Sequence, residues 1–361
     1  MMIKQNELKE DSPARSHLYY RLITLWVISE GVAGGIIHSL HLPFSGMFLS
    51  GFAVLCICLI AYYQGDKKKD AELSTNPKQI TKGAILKAAI IVCIFKMMLS
   101  PNTPPSAYFA VLFQGVMGQV LFSSLKSFRL SCILLGFLAL IESAIQRILV
   151  LVLLYGAGFW NAVNEFITKL TNAKVITNYS LLLAIAYISL HGIFGILIGI
   201  WAYRLVNKSQ LWEKNQPAYL IKELEDAKVQ EIRIPSRKKW KWAKSFFMFI
   251  WILLLLLYFQ SLLKIGKPVL PSSKALQILI RSLLIFFTWY FLASPLLKHF
   301  LKKKLQNQQE KSGSDISRIL LLLPSTENIF RKSWELSASM IGLKRLGLFW
   351  KIILINVLRD G

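Results

Sequence analysis

The sequence predicts an all-α, polytopic membrane protein, a bundle of about eight spanning helices with both termini in the cytoplasm. Three observations lead there. Of 361 residues, 54% are hydrophobic and only 17% are charged, with a mean hydropathy of +0.48. Apolar runs of about 18 or more residues recur, each long enough to cross ~30 Å of hydrocarbon as a helix. Basic residues, finally, gather on alternate loops. The short alternating segments of a membrane β-barrel are not found.

The expected spans are about 22–40, 46–63, 83–99, 106–124, 131–155, 179–203, 245–263 and 276–297. Segments 1–21, 64–82, 125–130, 204–244 and 298–361 then carry 34 Lys and Arg, against five in the opposite loops. The positive-inside rule sets both termini in the cytoplasm, with the protein in the plasma (inner) membrane. Lys67-Lys68-Lys69 and Lys302-Lys303-Lys304 read as flank anchors for anionic headgroups. The net charge of +24 thus belongs to a bilayer surface, and nucleic acid is not an expected partner. The polar, mixed-charge first twenty residues do not read as a cleaved signal peptide. Cys56, Cys58, Cys93 and Cys132 all fall in apolar spans, without metal or redox spacing, and read as small packing residues.

The chain divides into four parts. Residues 1–205 form a six-span domain, and 206–244 a basic cytoplasmic linker. Residues 245–300 form a two-span hairpin, and 301–361 a tail of amphipathic helices on the cytoplasmic side or at the interface. In the tail, Ser314-Asp315 can cap a short helix that Pro324 breaks, and Ser325 can cap a second reaching Ile341. The last stretch, "LGLFWKIILINVL", is short for a span and interrupted by Lys351, so it reads as an interfacial helix.

The first span holds "GVAGGIIHSLHLPFSG" directly after Glu30. Gly31, Ala33, Gly34 and Gly35 leave one side nearly free of side chains. Helices can approach closely there, whether from this chain or from another subunit. Glu30 and His38, eight positions apart, share nearly one helical face. A carboxylate in hydrocarbon must face the bundle interior or a partner. Beyond the proline-stiffened turn Ser100–Ser106, span 4 carries Tyr108, Gln114 and Gln119. Span 5 carries Glu142, Gln146 and Arg147, and span 6 carries His191 between apolar neighbours and glycine. Arg147 is expected to meet Glu30 or a bound anion. The amphipathic segment Phe159–Asn178 could cover the outer mouth. Candidate ligand contacts are therefore Glu30, His38, Tyr108, Gln114, Glu142, Arg147 and His191, though each could equally serve helix packing. No Walker A run, His-Glu-x-x-His or Gly-x-Ser-x-Gly occurs, so no enzyme activity, cofactor or metal is expected.

Six spans, a glycine-rich first span and a polar outer rim resemble the substrate-binding S component of energy-coupling factor (ECF) transporters, which import vitamins and micronutrients. The likeness in the first span rests on "GVAGG". The tail stretch "ISRILLLLPSTENIFRKSWELSASMIGLKRLG" resembles coupling helices of the T component. The resemblance implies a small-molecule ligand near the outer side and small first-span residues facing a coupling subunit. It also implies cytoplasmic ATPase subunits as partners, reached through Arg331, Trp334 and Arg345. Two other readings stay open. One is a non-transporting membrane scaffold that recruits a cytoplasmic partner through linker and tail. The other is a lipid-acting enzyme with Glu142 or His191 as base.

Overall fold

The computed structural model describes residues 13–33, 45–66, 78–80, 83–99, 105–171, 178–215, 219–221, 272–288 and 312–359, with scattered positions in 252–263 and 291–303. Among the described residues the fold is all-helical apart from a two-stranded antiparallel ribbon, β1 (Gly65–Asp66) with β2 (Lys78–Ile80). Helix α1 is Pro13–Ile28 and runs into a π-helical turn, Ser29–Ala33. Next come α2 (Ser45–Gln64), α3 (Ala84–Leu99) and α4 (Pro105–Ser124). They are followed by α5 (Phe128–Thr171), α6 (Tyr179–Asn215) and α7 (Ser272–Phe287). The tail holds α8 (Gly313–Leu336), a 3-10 turn (Ser337–Ser339) and α9 (Leu343–Leu358).

Four described helical stretches are long and apolar enough to cross a membrane: Gly46–Gln64, Pro105–Ser124, Phe128–Gly156 and Tyr179–Ser209. They coincide with expected spans 2, 4, 5 and 6. Residues 34–40 of the first expected span, and most of 245–263, lie outside the described residues.

Helix α3 is apolar on every side except at Lys87 and Lys96, and such a helix belongs inside a bundle. It is indeed the centre: Ile85, Ile91, Val92, Cys93 and Ile94 are fully buried. Helix α1 runs alongside it in the same direction. Near α1's start the Tyr19 hydroxyl donates to the Ala84 carbonyl at 2.8 Å, and at the far end Glu30 meets Lys96. Gly31 also packs here, since a Cβ on it would sit 2.8 Å from Leu99 Cδ1. Its small size is used within the chain, one of the two uses the sequence left open. Gly34, Gly35 and the side chain of Ala33 lie outside the described residues.

Helices α5 and α6 form an antiparallel hairpin whose backbones touch. A Cβ on Gly195 would intrude on the Gly136 carbonyl, and one on Gly199 on the Cys132 carbonyl. Inside lipid, where burial of apolar surface gives no drive, such close approach supplies the packing energy. Gly195→Val is therefore expected to destabilise the protein by about 1–3 kcal/mol. Gly347→Ala, whose Cβ enters open space, should cost nothing. Thermal melting in detergent reads the difference.

The tail is built into the bundle. Helix α8 packs on α1, and α9 packs on α1, α6 and α8. Trp350 reaches Phe52 of α2 with ring centroids 5.0 Å apart. Asn356, fully buried, accepts from Ile221 N and donates to the Tyr219 carbonyl, both at 2.9 Å, tying α9 to the segment after α6. Residues Ile352–Leu358 of α9 are buried against protein.

Two further expectations fail in α8. Pro324 does not break it: one helix runs through from Gly313 to Leu336. The hydroxyls of Ser325 and Thr326 instead donate to the Leu322 carbonyl at 2.9 and 2.8 Å, so Ser325 is an interior residue and no second cap. The buried row Ile319, Leu323, Thr326 and Ile329 holds the helix against the bundle across the proline. Helix ends before Met340 and Ile341, which lie in the turn, and Ile341 is 90% exposed.

Asp315 is no N-cap either. It is buried and joins three helices. It accepts from the Tyr20 hydroxyl of α1 and pairs with Lys87 of α3 at 2.9 Å. Burial first, and then the bond to Asp315, push the Tyr20 hydroxyl up to about 12. Removing the carboxylate leaves that hydroxyl without its acceptor. Asp315→Ala is expected to loosen α8 and α9, with tail-specific limited proteolysis increasing several-fold while the α5–α6 hairpin stays resistant.

Candidate functional site

Two clusters of polar side chains lie within the apolar helices. The first closes on itself. The π-turn after α1 widens the helix, and such turns often mark places where a side chain is re-aimed. Here it directs Glu30 toward α3, where Lys96 Nζ stands 2.6 Å from Oε2. Glu30 is 4% exposed and Lys96 3%. Ser29 satisfies the Trp26 carbonyl at 2.7 Å. Glu30 is thus neutralised by Lys96, not by Arg147, which corrects the expected pairing. The pair locks α1 to α3.

Gln114 and Tyr108 are buried between helices. Gln114 Nε2 donates to Ser50 Oγ of α2 at 3.1 Å, although its Oε1 is buried without a partner. Tyr108 is buried in the α3–α4 seam, where its carbonyl lies 3.9 Å from Cys93 Sγ. Gln119 Oε1 accepts from Ile85 N at 3.1 Å and so serves the free start of α3. His38 lies outside the described residues.

The second cluster joins α5, α6 and the first turn of α2. Glu142 Oε1 accepts from Gln146 one turn along, while Glu142 Oε2 is buried with no hydrogen-bond partner. On α6, His191 is 1% exposed, and its Nδ1 lies 3.0 Å from the Tyr187 carbonyl. Its ring packs on Tyr187 with centroids 4.3 Å apart. The Tyr187 hydroxyl is likewise buried and unpartnered. Arg147 lies within electrostatic reach of His191 and brings its guanidinium to Gly46 of α2. A Cβ on Gly46 would sit 3.7 Å from one guanidinium nitrogen and 2.6 Å from Ser143 Oγ. Glycine at 46 makes room for both. Tyr187, His191 and Arg147 thus bring together a phenol, an imidazole and a guanidinium, and Glu142 adds an unsatisfied acceptor on the same helix as Arg147. That set can recognise a small molecule bearing hydrogen-bond donors and an anionic group. Sequence reasoning named Glu142, Arg147 and His191 but passed over Tyr187, whose position one turn before His191 was the available signal.

Asn164, expected in a covering segment, instead fastens the start of α6. Its Oδ1 accepts from Ser180 N at 2.7 Å, and its Nδ2 donates to Asn178 Oδ1 at 3.1 Å. In the tail, Trp334 and Arg345 meet each other, with the guanidinium carbon 4.0 Å from the ring centroid. Arg331 is exposed and donates to Asn328 at 3.3 Å.

No protein-family model matches this chain, and neither a curated protein nor a solved structure matches it.

Proposed function

We propose that this chain is a membrane transport subunit that binds a small molecule, of the vitamin or micronutrient class, among α2, α5 and α6. The observation that carries this reading is the buried, unpartnered Glu142 Oε2 inside the stretch Phe128–Gly156, which is apolar and long enough to span. An unsatisfied carboxylate oxygen in that setting costs free energy that a ligand's donor would recover. Arg147 of the same helix and His191 of α6, within electrostatic reach of each other, would supply complementary charge and hydrogen bonding.

The coupling partner is a separate cytoplasmic ATPase, and about eight spans with cytoplasmic termini complete the topology. The ECF-like arrangement draws support from α8 and α9, the coupling-like helices, resting on α1, the first-span helix. Support for a docking partner comes from the α8–α9 turn, where Trp334, Leu336, Met340 and Ile341 are exposed among Arg331, Lys332 and Lys344. That turn equally favours a second reading, a non-transporting scaffold that recruits a cytoplasmic partner.

Thermal melting of the purified full chain against a vitamin panel separates the two. A transport subunit gains stability from its ligand by mass action, about 2.7 kcal/mol at a hundredfold excess over Kd. A flat response to the whole panel, with a cytoplasmic partner still co-purifying through the tail, would favour the scaffold.

A further inference from the structure

Helix α5 breaks at Gly156, whose φ of 67° and ψ of −175° interrupt helical residues on both sides. Only glycine adopts this conformation freely. The break falls where the apolar stretch Phe128–Gly156 ends, so it marks the edge of the hydrophobic part of the helix. Helix α7 packs across it, with Ile278 and Leu279 against Tyr155. That contact lays the Arg281 guanidinium on Gly156. A Cβ at 156 would stand 2.5 Å from Cζ and 2.9 Å from Nε.

Beside the guanidinium opens a cleft of about 140 Å³, lined by Tyr155, Gly158, Asn161, Gln277, Ile278 and Arg281. No carboxylate lines it, and Glu165, one turn beyond Asn161, is not among the lining residues. Among the described residues Arg281 has neither an ion-pair partner nor a hydrogen-bond acceptor. Its planar fork of five donors suits an anion with paired oxygens. The second half of α5 begins at the break and turns the positive end of its dipole to the same place. Asn161 and Gln277 add amide donors.

We propose that this cleft binds a phosphate group, gripped two-pronged by Arg281 and flanked by Asn161 and Gln277. The phosphate comes either from a phospholipid headgroup at the membrane edge or from a soluble phosphate.

The purified full chain in mild detergent is probed in two arms. Native mass spectrometry follows retained phosphatidylglycerol, and equilibrium dialysis follows radiolabelled inorganic phosphate. Arg281→Gln is expected to lower occupancy about tenfold in one arm, the loss of a charge-assisted hydrogen bond. Arg281→Lys, which keeps the charge and loses the fork, should fall between. Lys169→Gln, the same charge change on an exposed α5 residue, should match the native protein. Loss in the lipid arm assigns a headgroup, and loss in the dialysis arm assigns a soluble ligand. Should Arg281→Gln fail to fold, Asn161→Ala, on an exposed residue, carries the test with a smaller loss in the same arm. Equal retention of both probes by the native protein and the folded variants would overturn the proposal, as would an equal loss from Lys169→Gln.

Discussion

Lys96→Met is expected to be among the most destabilising single substitutions, costing about 3–5 kcal/mol. It removes the only described partner of the Glu30 carboxylate, which is almost wholly enclosed between α1 and α3. The carboxylate would then have to take up a proton or remain as an unpaired charge in apolar surroundings. Glu30→Gln alone should hurt for the mirror reason, leaving the ammonium buried. The double variant Glu30→Gln/Lys96→Met should recover part of the loss, because replacing both members of a buried pair is far milder than replacing one. Unfolding of the four proteins in mixed micelles gives the coupling. Strictly additive effects would mean that the 2.6 Å contact does not operate in the folded protein.

Glu142→Gln should behave in the opposite manner. The carboxamide keeps the shape and can still accept from Gln146, while turning the unpartnered acceptor Oε2 into a donor. Little stability is at stake, since one oxygen of Glu142 has no partner to lose. Ligand affinity, by contrast, should fall about 10- to 100-fold, the worth of a hydrogen bond to a charged group. Tyr187→Phe should fall in the same direction by less, and should cost no stability because its buried hydroxyl bonds nothing. Titration of each variant with the ligand found in the melting panel measures the ratio. A large drop in melting temperature without a change in affinity would place both residues in packing alone.

These two outcomes sort polar groups that look alike in the sequence. Glu30 and Glu142 are each single carboxylates in apolar runs, and periodicity gives both the same reading. What separates them is the neighbour on another helix, and helix order around a bundle is not encoded in hydropathy. Lys96 was visible as a cation in the last turn of an apolar run, yet its depth matches Glu30 only because α1 and α3 run in the same direction. The spanning stretches of α2, α4, α5 and α6 were legible because length and hydropathy alone define them.

The tail was less legible. Ser314-Asp315 looks like a cap by local rules, but Tyr20 and Lys87, distant in sequence, claim the carboxylate. Pro324 looks like a helix end, but tertiary burial on both sides outweighs the lost backbone bond. Lys351 looks like an interruption of an apolar helix. In the fold its ammonium lies over the Trp212 and Tyr219 rings, 5.4 and 5.7 Å from their centroids, so the charge is kept at the edge of the packed face.

On the function proposed above, the α5–α6 cluster binds ligand and the α1–α3 pair is structural. Uptake of the panel ligand by cells producing the full chain, with the native protein set beside Arg147→Ala at equal membrane abundance, decides whether that cluster binds ligand. Arg147→Ala is expected to reach the membrane folded and to take up the panel ligand at least about tenfold more slowly at limiting concentration. Uptake equal to the native rate would contradict it.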